Sequence, residues 1–170
     1  GSHLTSMHSM DNYYVSKLVP LLREAGVAAI ANPLINITLQ GRHDTYPKRR
    51  GMTRVPELLA AGVPVAFGHD CVMDPWYSLG SGDMLEVAAM GLHVAQMTSQ
   101  EGMRACFAAV TENAARILAL DGYGIAPGNR ADFVLLQARD PVEAIRLRAT
   151  RLQVFRAGKR IAHTPAAVAE

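Results

Sequence analysis

An apolar run that feeds directly into a histidine and an aspartate is the segment best suited to chemistry. Val63-Pro64-Val65-Ala66-Phe67-Gly68 ends in His69-Asp70, followed by Cys71 and then by Asp74-Pro75-Trp76. Read as a buried parallel strand, the run delivers a carboxylate to the mouth of an α/β sheet, where the catalytic residues of such folds collect. A carboxylate there can ligate a metal ion and can take the proton from water that the metal has acidified. It can equally do no more than cap the segment that follows, since aspartate is a common cap. The residue types alone leave both readings open.

Two more strand ends carry polar groups. One is the start of the chain, Ser2-His3-Leu4-Thr5-Ser6-Met7-His8-Ser9, and the other is Asn32-Pro33-Leu34-Ile35-Asn36. The polar stretch Gln40–Gly51, bounded by Gly and Pro, reads as a long loop of the kind that usually carries function. The remaining chemical side chains have plainer accounts. His8 and His69 read as supporting or structural, His93 as a packed helix histidine and Cys106 as core. Nothing around Cys71 predicts a reactive thiolate, so it reads as a small pocket filler. Lys48-Arg49-Arg50 is a solvated basic loop. Met84, Met90, Met97 and Met103 fall at roughly helical spacing and are core filler.

The elements that must position these groups follow from periodicity and punctuation. Asp11 or Ser16 can cap a helix through residues 15–25, which Gly26 stops. Residues 27–31 form a short buried strand. Residues 55–61 form a helix with Pro56 in its first turn and Gly62 at its end, and the strand 63–68 follows. Strand, loop, helix and strand at this spacing give the βαβ rhythm of a parallel sheet. Helices are expected over 82–96 and 100–120, the second punctuated by Thr111-Glu112-Asn113. After Gly122 come turns, a strand over 131–136, an alternating run over 151–156 and a hairpin turn into Ile161-Ala162. A boundary near Gly122 therefore divides the chain into 1–122 and a β-rich segment, 123–170.

Composition narrows the classes. The chain has 170 residues, 49% hydrophobic and 19% charged, an ordinary globular balance that excludes disorder. Its length is short of the roughly 200 residues that a complete (β/α)₈ barrel requires at the least. A net charge of +2 gives no ground for a nucleic-acid partner. The most apolar window, 27–39, is too short to span a bilayer. Two cysteines make no disulfide framework, and a reducing cytoplasm is the expected location.

Several motifs, in order and closely spaced, resemble the C-terminal part of the bacterial cytosine deaminases of the amidohydrolase superfamily. They are His3-Leu4-Thr5-Ser6-Met7-His8-Ser9, Asn32-Pro33-Leu34-Ile35-Asn36, Leu39-Gln40-Gly41-Arg42, the Pro47-Lys48-Arg49-Arg50-Gly51 loop, Gly68-His69-Asp70 and Asp74-Pro75-Trp76. Gly124-Ile125-Ala126-Pro127-Gly128 is similar to that superfamily's return into its small β-domain. Gly1-Ser2-His3 also fits a tag-cleavage scar, but the pattern runs through it and His3 is read as native.

The resemblance implies the C-terminal part of a metal-dependent-hydrolase (β/α)₈ barrel, about strands six to eight, plus part of a small β-sandwich. It implies one divalent metal ion, iron or zinc, and hydrolytic deamination of cytosine or a closely related aminated pyrimidine with release of ammonia. His3 matches the sixth-strand histidine that faces the hydrolytic water. Asp70 matches the eighth-strand aspartate that ligates the metal and carries the proton, and Trp76 matches the tryptophan lining the substrate pocket. The family's His-x-His pair, its substrate-amide glutamine and its fifth-strand histidine with the nearby glutamate have no counterpart here. They are expected upstream, so the missing N-terminal part of the same enzyme is an expected partner, and a homo-oligomer is expected.

Cys71 stands where the family usually has a second acid, bordering the pocket, and His43 stands where it has an aromatic residue. Two alternatives stand beside this reading, the first of them motivated by Cys71. One is a shifted substrate, such as isocytosine or another amino-substituted pyrimidine or triazine. The other is an inactive fragment acting only through association. The unrelated deaminase signature, His-x-Glu with Pro-Cys-x-x-Cys, is absent.

Overall fold

Asp11 caps the first helix, α1 (Asn12–Glu24), by accepting a hydrogen bond from the Tyr14 N–H at 2.8 Å. The helix buries Val15 and Val19. It ends at Gly26, whose φ of 67° lets the Val27 N–H turn back onto the Leu22 carbonyl, a Schellman closure. That closure uses Val27, so strand β1 is only Ala29–Ala31 rather than the expected 27–31. The computed structural model describes residues 1–49 and 51–168; Arg50 of the basic run lies outside them.

β1 pairs in parallel with β2 (Val65–Phe67), Ala29 opposite Val65 and Ala31 opposite Phe67. On the other side of β1, the Ile30 N–H donates to the Gly1 carbonyl at 2.9 Å and the His3 N–H to the Ile30 carbonyl at 2.8 Å. Residues 1–3 thus run parallel to β1 as a strand stub, and β1 lies between two neighbours. Between β1 and β2 run α2 (Pro33–Leu39) and α3 (Val55–Ala60). α2 is not expected from the sequence, where Asn32–Asn36 reads only as a strand end.

β2 is buried along its whole length. Its Phe67 ring packs on Gly91 of α4 (Met84–Val94), where a methyl group would lie 2.4 Å from a ring carbon. The helix expected over 100–120 is two helices, α5 (Gln100–Ala109) and α6 (Glu112–Ile117). The break falls at Thr111, whose hydroxyl donates back to the Phe107 carbonyl at 2.8 Å, a bond that competes with helical continuation. The four methionines named above all pack partly buried against the core. His93 differs from expectation: it is exposed, its Nδ1 2.6 Å from the Ala89 carbonyl of its own helix.

The C-terminal segment forms an antiparallel sheet of β3 (Phe133–Leu136), β4 (Arg151–Arg156) and β5 (Lys159–His163). Ala157 and Gly158, both at positive φ, make the tight turn between β4 and β5 that such a hairpin needs. A further helix, α7 (Pro141–Leu147), interrupts β3 and β4 and packs on α4 and α5. No helix among the described residues is long and apolar enough to cross a membrane.

Asp83 joins α4 to β4. It caps α4 through the Leu85 and Glu86 N–H groups, and its carboxylate also pairs with Arg151 of β4. Burial pushes its pKa up, but the Arg151 hydrogen bond and the two N–H donors outweigh burial and hold it below the usual carboxylate value. The lowered folded-state value makes its contribution full above the ordinary carboxylate range and progressively lost as pH falls through that lowered value. Asp83→Ala is expected to cost about 1 kcal/mol at neutral pH through the cap. In urea unfolding, the gap from wild type should narrow at about pH 3, below the ordinary carboxylate value.

Candidate active site

Three strand ends converge. The stub at residues 1–3 delivers His3, β1 delivers Asn32 and, one helical turn into α2, Asn36; β2 delivers His69 and Asp70. His3 Nε2 lies 3.0 Å from Asp70 Oδ2, with the two side chains 41% and 30% exposed. Both backbones are left-handed, φ 65° at His3 and 66° at Asp70. Non-glycine residues adopt that region rarely and at a cost, and such residues gather at functional sites.

The far side of His3 is held from within the core. Asn36 Nδ2 lies 2.8 Å from His3 Nδ1, and the Asn36 side-chain oxygen accepts the Asn32 N–H at 3.3 Å. Asn32 and Asn36 are 4% and 3% exposed. The Thr53 hydroxyl, also buried, donates to the His3 carbonyl. Gly68 lets this layer close, because a side chain there would place its first carbon 2.4 Å from Asn32 Oδ1.

The residues after Asp70 form a tight loop. Buried His69 sets its Nδ1 3.0 Å from the Cys71 carbonyl, while its Nε2 is buried without a partner among the described residues. Cys71 Sγ lies 3.5 Å from Asp70 Oδ1. Hydrogen bonding to the Asp74 carboxylate, then burial, then Asp70 push its thiol up to about 12. These contacts favour the thiol over the thiolate, so Cys71 stands as a hydrogen-bond donor here. Asp74 accepts from the Trp76 and Tyr77 N–H groups, both at 2.9 Å. Those bonds fix the turn that carries Trp76, a residue 63% exposed.

Among the expected site residues, His3, Asp70 and Cys71 are therefore in contact, while Trp76 stands on the same loop without touching them through a hydrogen bond or ring stack among the described residues. Two clefts lie elsewhere. One of about 650 Å³ separates α4–α6 from the small sheet and is lined by Phe107, Tyr123, Phe133 and Phe155. The other, about 630 Å³, lies between residues 5–9 and the 40–51 loop, with Arg42, His43 and Arg49 on its wall. Neither includes His3 or Asp70.

Among the described residues no group of three or more His, Cys, Asp or Glu side chains is placed to hold a metal ion. A catalytic metal normally keeps at least three protein ligands, so one carboxylate and one imidazole do not make a complete site.

Asn36, read from the sequence only as part of a polar strand end, and Thr53, not singled out there, are the residues that hold His3. Their only signal is a polar side chain inside an otherwise apolar helix, Pro33-Leu34-Ile35-Asn36-Ile37, and a threonine just before another.

The amidohydrolase family model matches residues 1–162. Among solved structures, a 5-methylcytosine deaminase from Klebsiella pneumoniae, liganded with 5-fluorocytosine, is 43% identical with a TM-score of 0.95, over 99% of this chain and 41% of that one. An N-isopropylammelide isopropylaminohydrolase from Burkholderia multivorans is 30% identical with a TM-score of 0.82, over 98% of this chain and 40% of that one. A curated pterin deaminase from Rhizobium rhizogenes is 34% identical over 161 residues, 94% of this chain and 36% of the relative. The chain thus spans well under half the length of the proteins it matches. The expected fold class stands: parallel strands and helices of a TIM-type barrel, with an antiparallel sheet beside them.

Proposed function

Because the chain belongs to the amidohydrolase family, we propose that it is the C-terminal part of a hydrolytic deaminase acting on a cytosine-type pyrimidine, unsubstituted or substituted at carbon 5. The observation that carries this reading is the His3–Asp70 contact at 3.0 Å, made at strand ends where such barrels do chemistry. The identity to a 5-methylcytosine deaminase supports the ring class. Residues 1–122 supply the barrel part and 123–170 the small β-domain. The two free cysteines suit a reducing cytoplasm.

In this reading a divalent ion, iron or zinc, activates water when bound. Asp70 is one of its ligands, and the others come from polypeptide beyond the described residues. The chain's own work is with the proton. Asp70 Oδ2 accepts a hydrogen bond from His3 Nε2, so the imidazole N–H orients the carboxylate, and Asp70 itself would take the proton from water and give it to the leaving amine. Cys71 and Trp76 border the ring.

The test is release of ammonia from cytosine, 5-methylcytosine, isocytosine and pterin, and of isopropylamine from N-isopropylammelide, by the full-length polypeptide loaded with iron or zinc. Cytosine-type rings should be preferred at least about tenfold, the smallest margin that one pocket contact provides. Turnover of pterin alone would overturn the pyrimidine reading.

A second reading rests on Cys71, a neutral donor where the family usually has an acid, and favours isocytosine or an amino-substituted triazine. Cys71→Asp should raise kcat/KM for cytosine relative to isocytosine by placing an acceptor against the ring. An unchanged ratio would show that the position does not face substrate.

A further inference from the structure

We propose that Asn36 is a positioning residue that fixes which nitrogen of His3 carries the proton. The inference deepens the deaminase reading and rests on it for the consequence to turnover, but its geometry stands by itself. Asn36 is 3% exposed and its carboxamide meets two partners. One is the Asn32 backbone N–H, 3.3 Å from the side-chain oxygen. A backbone N–H can only donate, so the oxygen must face it. The opposite orientation would set two donors against each other in a buried layer, which native structures avoid.

With the oxygen so committed, the Asn36 NH₂ group points at His3 Nδ1, 2.8 Å away. Nδ1 must then accept, and a neutral imidazole that accepts at Nδ1 carries its hydrogen at Nε2. Nε2 is the nitrogen 3.0 Å from Asp70 Oδ2. The order of donors therefore runs one way, from the start of α2 through the ring to the strand-end carboxylate.

The surroundings lock this orientation from three sides. The Asn36 N–H donates to the Asn32 carbonyl at 3.0 Å, holding the first turn of α2. Asn32 Nδ2 reaches the Ser2 hydroxyl at 3.3 Å, tying β1 to the strand stub that carries His3. Gly68 admits the Asn32 oxygen, as described above. Asn36 makes no hydrogen bond to Asp70 among the described residues and is buried behind His3, so it acts through His3.

Asn36→Asp preserves shape while replacing the donor with an acceptor, and Asn36→Leu removes the polar partner. The experiment is ¹⁵N NMR of the imidazole nitrogens in the full-length polypeptide, with steady-state kinetics on cytosine alongside. His3→Gln identifies the His3 signals. The wild type should show a bare Nδ1 and a protonated Nε2. Asn36→Asp should show a protonated Nδ1, with kcat lowered on the order of 10²-fold or more, the lower range for loss of a positioned acid or base, and KM changed less than about threefold. Asn36→Leu should mix the tautomers.

A protonated Nδ1 in the wild type would overturn the proposal, as would an Asn36→Asp variant with wild-type kcat. A wild type with the stated tautomer and no turnover of any pyrimidine would count against the deaminase reading instead, and would support Asn36 as the holder of the tautomer.

Discussion

Replacing Asp70 by Ala in the full-length polypeptide is expected to lower kcat by at least about 10³-fold, with metal content falling as well. The size follows from two losses at one atom group. General acid–base work by a positioned side chain contributes typically about 10²–10⁴-fold, and the same carboxylate is proposed as a metal ligand. The geometry gives it no substitute. Asp74, the next acid along, is held below the usual carboxylate value first by the Cys71 thiol, and accepts from the Tyr77 and Trp76 N–H groups. It is occupied in holding its own turn. His3→Ala should behave differently, lowering kcat far more than metal content, because His3 is proposed to face the water and not the ion. Assay of turnover and metal-to-protein ratio on both variants separates the roles. An Asp70→Ala protein that keeps more than about a tenth of kcat with metal bound would remove the assignment, since no group doing acid–base work is so dispensable.

The strand-end aspartate and histidine can be read from the sequence because an apolar run ending in polar residues is a local pattern. Helix ends at Gly26 and Gly62 can be read for the same reason, since glycine at positive φ is visible as a letter. The same closure occurs at Gln96, Ala119 and Arg148, all at positive φ, with the next residue bonding back across the helix end. No glycine marks those ends, though the first two fall where the helices are expected to stop; what escapes notice is the break at Thr111 between α5 and α6, and the whole of α7. α7 did carry a signal, Asp140 as cap with Pro141 at the first position and Glu143 in the first turn. Seven residues are too few for a 3.6-residue period to stand out from the loop around them. The contact of Asn36 with His3 escapes for a deeper reason. The two lie 33 residues apart, and only the parallel pairing of the stub with β1 brings them together.

The 170 residues by themselves are expected to be catalytically inert, to bind divalent metal weakly and to associate. The metal part follows from the donor count: with His3 and Asp70 alone, most of the coordination of an iron or zinc ion is left to water. The association follows from the edges. In the β1–β2 ladder the Ala29 N–H bonds the Pro64 carbonyl and the Gly68 N–H bonds the Ala31 carbonyl, so by the two-residue period the peptide groups of Val65 and Phe67 point away from β1. Asn113 Nδ2 covers the Val65 carbonyl at 3.1 Å; no strand among the described residues lies along that side. A barrel leaves no strand unpaired on one side, and such a side is a template for pairing with another chain, although the side chains of β2 are themselves buried. The small sheet adds to it, with Phe133, Val134, Leu135 and Ile161 all between 40% and 59% exposed. Light scattering after size exclusion should show assemblies larger than 18.3 kDa, and dialysis against iron or zinc should leave the protein substoichiometric in metal. Adding the remaining polypeptide length that the relatives possess should restore a discrete species, tight metal and turnover together. A stable 18.3 kDa monomer with tight stoichiometric metal and deaminase activity would show that the site closes within this chain, and would overturn the assignment of the remaining ligands to polypeptide beyond it.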